Sequence, residues 1–301
     1  MKALVTGAGG FVGAHLSARL AADGWEVTGT VRPGSAGRRL DPRVRPVAVD
    51  LGDREATAGL ARSVAPDMVF LLAASRAAAT PAERAATMAV NATTGAWLVD
   101  ELRDHCRAVV RLGSSTEYGP ADGPMDESTP LRPQSFFGTT KAAGSLLVTA
   151  AAAVHGVRAT VLRAFQVYGP RDHPGRLVPT VLRAARTGEG VALTAPGMRR
   201  DWIHVDDVVE ACVRAVLADH LPAGQVLNIG TGRQVANEEL VAVVERVSGR
   251  PVRVAVGAHP GRSWDTGSWV CDPSQTADLL GWEAKVDLED GLARCWAAET
   301  A

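Results

Sequence analysis

The stretch Lys2-Ala3-Leu4-Val5-Thr6-Gly7-Ala8-Gly9-Gly10-Phe11-Val12-Gly13 decides how this chain folds. It begins as a short β-prone run and breaks into glycine, and from Phe11 to Asp23 it reads as a helix stopped by Gly24. Glycines at 7, 10 and 13 serve three needs: a tight turn, close approach of a pyrophosphate, and close packing of helix on strand. The helix N-terminus then points unpaired N–H groups at the anion. This strand–glycine–helix order predicts a dinucleotide site, with Gly7, Gly10, Phe11, Val12 and Gly13 around the phosphates.

Outward from that loop, β-branched runs alternate with helical patterns. Strands are expected at Glu26–Arg32, Val44–Asp50, Met68–Leu72, Ala108–Ser114 and Arg158–Arg163, with long helices over Pro81–Cys106 and Phe136–His155. Alternation of this kind implies βαβ units and a parallel sheet covered on both faces. After residue 165, Gly169-Pro170, Pro196-Gly197 and His259-Pro260-Gly261 cut the chain into loops around shorter helices at Arg176–Arg186 and Glu238–Ser248. Asp206–Leu217 reads as a helix returning to the sheet. The expected fold class is α/β: a doubly wound parallel Rossmann sheet with a smaller C-terminal substrate-binding lobe. Residues 1–165, rejoined by 203–230, form the dinucleotide-binding domain, and 166–202 with 231–301 form the lobe.

Composition narrows the partners. The 301 residues are 46% hydrophobic and 22% charged with a net charge of −1, ordinary for a globular protein with a sizeable core. Near-neutrality gives no electrostatic reason to expect nucleic acid or an anionic membrane. The apolar run Leu146–Val154 is half the length of a bilayer span. Cys106, Cys212, Cys271 and Cys295 are far apart with no C-x-x-C pair, which predicts reduced thiols, no metal site and a cytoplasmic location. Lysine occurs only at 2, 141 and 285, and tyrosine only at 118 and 168.

The second strand bears on the cofactor. An NAD site ends this strand with a carboxylate for the ribose 2′-hydroxyl. Here it ends Thr30-Val31-Arg32, and Arg38-Arg39 follow. A guanidinium suits a 2′-phosphate, so NADP(H) is favoured, with NAD(H) the alternative.

The chain also resembles the extended short-chain dehydrogenases/reductases that act on nucleotide-diphosphate sugars. The resemblance rests on Thr6–Gly13, Asp50-Leu51, Leu72-Ala73-Ala74, Asn91, Ser114–Gly119, Lys141, Val167–Pro170, Arg200–Asp207, Asn228–Gly230, Arg262, Asp265, Asp272–Ser274 and Leu280–Trp282, in that order. It implies that Arg32, Asp50, Leu51, Leu72, Ala73, Ala74, Asn91 and Lys141 lie along the cofactor. It also implies a nucleotide-diphosphate sugar as ligand and a homodimer through the helices around Asn91–Cys106 and Phe136–His155, whose Ala142, Ala143 and Gly144 permit close packing.

In that family a Ser or Thr, a Tyr and a Lys act together: the Lys lowers the tyrosine pKa, and the Tyr moves a proton at the sugar oxygen while hydride moves at the same carbon. Ser114 and Lys141 match two of the three, but the tyrosine position holds Phe137. Three readings stand open: an engineered Tyr→Phe form, a natural enzyme whose donor is Thr116, Glu117 or water, or a binding protein without chemistry. Dehydratases of the family carry Asp-Glu after the Ser/Thr, where this chain has Ser115-Thr116. That leaves NADPH-dependent 4-keto reduction of a nucleotide-diphospho-4-keto-6-deoxyhexose, as in the GDP- and dTDP-sugar reductases it resembles, or 4-epimerisation with held NAD. Arg200 and Arg262 match diphosphate positions, with Asp265 to orient Arg262; Ser115 and Gln166, which stands where many relatives have Asn, are further substrate candidates, and His173, Arg176 and Arg199 either reach the ligand or face solvent.

Overall fold

The computed structural model describes residues 1–35, 40–259 and 267–300. The sequence-predicted Arg38, Arg39, Arg262 and Asp265 lie outside the described residues. The first half runs β1 (Lys2–Thr6), α1 (Phe11–Ala22), β2 (Glu26–Val31), β3 (Arg45–Ala48), α2 (Arg54–Val64), β4 (Met68–Leu71), α3 (Pro81–Met88), α4 (Thr94–Leu102), β5 (Ala108–Leu112), α5 (Phe136–His155) and β6 (Ala159–Ala164). The second half runs β7 (Gln166–Tyr168), α6 (Leu177–Thr187), β8 (Gly190–Ala192), β9 (Arg199–His204), α7 (Val205–Leu217), β10 (Gln225–Ile229), β11 (Gln234–Ala236), α8 (Asn237–Ser248), β12 (Arg253–Ala255), α9 (Ser274–Leu280) and α10 (Leu288–Thr300).

Seven strands pair in parallel in the order β10-β6-β5-β4-β1-β2-β3. This is a Rossmann-type, doubly wound sheet extended by β10 at one edge. Its strands are apolar on both sides because helices cover both faces: β4 and β6 are buried throughout. One face packs under α1 and α7 through Leu16, Leu20, Val208 and Cys212, and Trp282 from the C-terminal segment closes the same core. The other packs under α4 and α5 through Leu98, Val99, Val148 and Ala152. A separate core of Val181, Leu182, Trp202, Leu240, Val244 and Leu292 joins β9, α6, α8 and α10.

The helix expected over Pro81–Cys106 runs from Pro81 to Leu102, with a change of turn in its middle. Residues Ala89–Thr93 take a π-helical turn between α3 and α4. The wider turn turns Asn91 inward, fully buried, where it bonds other elements, so local periodicity gave way to tertiary contacts. Helix α5 is long and apolar enough to cross a bilayer, yet it lies on the sheet with Lys141 and Ser145 turned inward. All four cysteines are buried free thiols, and burial pushes Cys106 up to about 11.

Candidate active site

The glycine loop opens at the C-terminal ends of β1, β2 and β4, where parallel sheets of this kind bind ligands. Gly7 has φ +70°, and a Cβ there would stand 2.6 Å from the Ala73 Cα, while one on Gly13 would stand 2.2 Å from the Gly7 carbonyl oxygen. Thr6 locks the loop, its hydroxyl accepting from the N–H groups of Leu72 (3.1 Å) and Ala73 (3.2 Å). Gly10 caps α1 without a side-chain hydrogen bond, and the first turn of the helix has no acidic residue. Those end N–H groups are therefore left for an anion, and the cradle fits a dinucleotide pyrophosphate. Leu51 is buried under α4 with its carbonyl taken by Thr94 (2.6 Å), while Asp50 and Ala74 remain exposed. Arg32 is exposed and leans from the end of β2 to the Ala74 carbonyl at 3.5 Å.

Beyond β5 the chain makes a tight turn, Ser115–Glu117, capped by Ser114. The Ser114 and Thr116 hydroxyls are 2.8 Å apart. The first turn of α5 docks directly on this turn: a Cβ on Gly138 would lie 2.3 Å from the Thr116 carbonyl oxygen. Ser114, Thr116, Phe137 and Lys141 are thus brought together, with Phe137 one helical turn from Lys141.

Glu117 is fully buried and spent on structure. One carboxylate oxygen accepts from the Ser114 N–H (2.9 Å) and the Ser145 hydroxyl (2.9 Å), and the other from Arg163 Nε (3.0 Å). Arg163 also donates to the Tyr118 hydroxyl (2.9 Å), which donates to Asn228 Oδ1 (2.8 Å). Of the alternative proton donors, Glu117 is therefore committed to an ion pair that holds the turn.

Lys141 is buried with its Nζ on the Leu112 carbonyl. Burial, and after it the charge of Arg111, lower its pKa from 10.5 to about 7 against an upward pull from Glu117, with Arg76 adding the least. Arg111, buried in β5, donates to the Asn91 carbonyl at 2.6 Å, and burial lowers its own pKa to about 10. Gly144 leaves the space for this guanidinium, since a Cβ there would lie 2.1 Å from Arg111 Nη2. Gly144 also lets α5 approach the Ala89–Thr93 turn closely, since the same Cβ would lie 2.0 Å from the Asn91 carbonyl oxygen. Asn91 spends its side chain on the Ser75 N–H (2.8 Å), the Ser75 carbonyl (2.8 Å) and the Thr140 hydroxyl (2.9 Å), so it acts on the groove by fixing Ser75 to α5.

A family model for the NAD dependent epimerase/dehydratase family matches residues 3–230. The chain belongs to that family. It is 29% identical over 309 residues to a UDP-glucose 4-epimerase of Mycolicibacterium smegmatis, covering 98% of this chain and 97% of that one. It is 30% identical over 315 residues to a dTDP-glucose 4,6-dehydratase of an Actinoplanes species, covering 97% and 96%. The solved structure of MoeE5 in complex with UDP-glucose and NAD superposes with a TM-score of 0.87 at 30% identity, over 100% of this chain and 99% of that one. The first two relatives are a 4-epimerase, the alternative that the sequence motifs left open, and a dehydratase; neither is a 4-keto reductase.

Within this epimerase/dehydratase chain the lobe-side residues divide. Ser115 is buried, and its hydroxyl accepts from Trp269 Nε1 at 3.0 Å, tying the Ser115–Glu117 turn to the C-terminal segment. Gln166 is half-buried at the start of β7, opposite Trp202. Arg200 donates to the Arg199 carbonyl (2.7 Å), Arg176 pairs with Asp172 (3.1 Å), and Arg199 pairs with Glu239 (2.7 Å). His173 accepts from the Gly175 N–H at 3.2 Å. His204 is buried as the cap of α7 beneath Tyr168, and burial holds its pKa below the usual range. Sequence reasoning missed three residues. Asp201 accepts from the N–H groups of Thr231, Gly232 and Cys271; Trp269 reaches Ser115; and the guanidinium of Arg76 stands 3.8 Å from the centroid of the Phe137 ring. Only Asp201, inside the Arg200–Asp207 motif, carried a sequence signal; the others meet their partners through folding alone.

Proposed function

We propose that this chain binds NAD(H) along the groove of Gly7–Gly13, Arg32 and Leu72–Ala74, and a nucleoside-diphosphate hexose across Ser114, Thr116 and the lobe. The sugar would face hydride chemistry at C4 of the 4-epimerase type, slowed by Phe137. The nicotinamide supplies and accepts the hydride when bound. Ser114 and Thr116 hold and orient the sugar hydroxyl, while Ser115, Gln166, Arg176, Arg200 and Arg262 contact the nucleotide sugar. One observation carries this reading: the site is assembled around position 137, but the side chain there has no proton to give. Among the described residues, neither hydroxyl of the Ser114–Thr116 pair has a free carboxylate partner, since Glu117 is committed to Arg163.

The cofactor proposal departs from the NADP(H) expectation. MoeE5 holds NAD, and Arg32 here leans across to Ala74 rather than standing out from the end of β2. An NADPH-dependent 4-keto reductase is the second reading, favoured by the lack of a carboxylate at that strand end. Calorimetric titration with NAD and with NADPH separates the two. The decisive test of the chemistry is Phe137→Tyr assayed for UDP-glucose/UDP-galactose interconversion. A gain of about 100-fold or more is expected for a restored general acid/base. An unchanged rate with intact ligand binding would favour a binding module instead. A homodimer through α4 and α5 belongs to the same reading, because Leu146, Leu147 and Val154 of α5 are exposed.

A further inference from the structure

Hydride chemistry at a sugar hydroxyl needs a group that moves a proton, and the ring at position 137 has none. Lys141 stands beside that gap, one turn along α5 from Phe137, and it is buried. Among the described residues its one hydrogen-bond partner is the Leu112 carbonyl, and it makes no ion pair. An ammonium has three donors to satisfy and no lone pair. A neutral amine has two donors and a lone pair with which to accept, so a single carbonyl suits it far better.

The surroundings press the same way. Arg111, next to Leu112 in β5, is buried and sets its guanidinium against the α5 backbone, with Nη2 donating to the Asn91 carbonyl (2.6 Å) and to the Lys141 carbonyl (3.4 Å). The missing Cβ of Gly144 makes the room that this cation enters. Glu117, the carboxylate that acts on Lys141, is held by Arg163 at 3.0 Å, and Arg76 acts on the amine least. A fixed positive charge close to a desolvated amine favours its neutral form, and its pKa falls to about 7.

We propose that Lys141, as a neutral amine, is the proton carrier of this site in place of the absent tyrosine, and that Arg111 is the positioning residue that keeps it neutral. The inference rests on the nucleotide-sugar reading above. In the oxidation half, the C4–H bond breaks and its electron pair passes as hydride to the nicotinamide. The amine lone pair takes the proton of the 4-hydroxyl, and a 4-keto group forms. In the reduction half, hydride returns to C4 and the Lys141 ammonium gives the proton back to the oxygen.

The test reads the amine directly. Lysine occurs only at 2, 141 and 285, so protein grown on lysine labelled with carbon-13 at Cε gives three signals, and Lys141→Arg identifies the one from Lys141. In ligand-free wild type that signal should titrate with a midpoint of about 7. Arg111→Met should move the midpoint up by about one pH unit; Arg111→Leu with Gly144→Ala, which refills the space, serves if the single variant does not fold. In the UDP-glucose/UDP-galactose assay, kcat/KM of wild type should rise with pH through the same midpoint. Lys141→Arg, which stays charged, and Lys141→Ala should each lose about 100-fold. Added propylamine should restore about tenfold of the Lys141→Ala loss, with UDP-glucose affinity unchanged by calorimetry. A Lys141 signal that stays charged to about pH 9, a profile with no inflection at its midpoint, or Lys141→Arg within about tenfold of wild type overturns the inference and leaves the nucleotide-sugar reading standing. Wild type that binds UDP-glucose and NAD without turnover does the same. Failure of wild type to bind UDP-glucose or NAD overturns that reading, and this inference with it.

Discussion

Replacing Lys141 by methionine should change the pH dependence of stability in a calculable way. In the folded, ligand-free protein, burial and the charges of Arg111 and Arg76 lower the Lys141 pKa from 10.5 to about 7. Between those values the unfolded chain holds one more proton than the folded chain, so unfolding free energy rises with pH at about 1.4 kcal/mol per unit. Below pH 7 both states are protonated and the full penalty of burying the ammonium is present. Above the unfolded pKa it is gone. From pH 7.5 to 9.5, wild type should therefore gain about 3 kcal/mol on Lys141→Met. The substitution also strands the Leu112 carbonyl, at a cost of about 1–3 kcal/mol, but that offset does not vary with pH. Urea unfolding of both proteins at intervals of half a pH unit measures the difference. A wild-type-minus-variant curve that is flat over this window would mean that Lys141 stays fully charged inside the fold, and the electrostatic account of the site would be wrong.

Other changes probe the same framework. Glu117→Gln leaves the buried Arg163 guanidinium without its carboxylate and should cost about 3–5 kcal/mol in urea unfolding, whereas Glu117→Leu with Arg163→Met should recover most of it. Gly13→Ala should abolish NAD binding by calorimetry while UDP still binds, because the added methyl meets the Gly7 carbonyl oxygen at 2.2 Å. Gly144→Ala should destabilise by about 2 kcal/mol or more in thermal or urea unfolding, since its Cβ would displace the Arg111 guanidinium. If α5 pairs two copies, light scattering should give twice the 31.4 kDa chain mass, and Leu146→Glu with Leu147→Glu should return the monomer.

Much of the scaffold was legible along the chain because it is written in local patterns. The glycine spacing, the β-branched runs and the Gly stops after α1 and α5 fix each element from its own residues, and the strand edges fell within one or two positions. The change to Gly-Pro loops after residue 165 marks where the regular alternation of strand and helix stops. The helix expected over Pro81–Cys106 is there from Pro81 to Leu102, but its π-helical turn at Ala89–Thr93 has a non-local reason. Asn91 is drawn inward by Ser75 and Thr140, and helical periodicity carries no information about either partner.

The sequence by itself determined that the chain would build a parallel dinucleotide-type sheet, that a lysine would be kept at 141, and that the proton carrier expected at 137 would be absent. Only the tertiary structure decided what those residues meet. It paired Glu117 with Arg163 at 3.0 Å, set Arg111 beneath Lys141, and laid Arg76 on Phe137. These partners lie up to 61 residues apart in the chain. The physical reason is that a side chain's charge state and reach depend on its desolvation and on the sign of the charges facing it. Those are properties of the assembled site, and no window of sequence contains them.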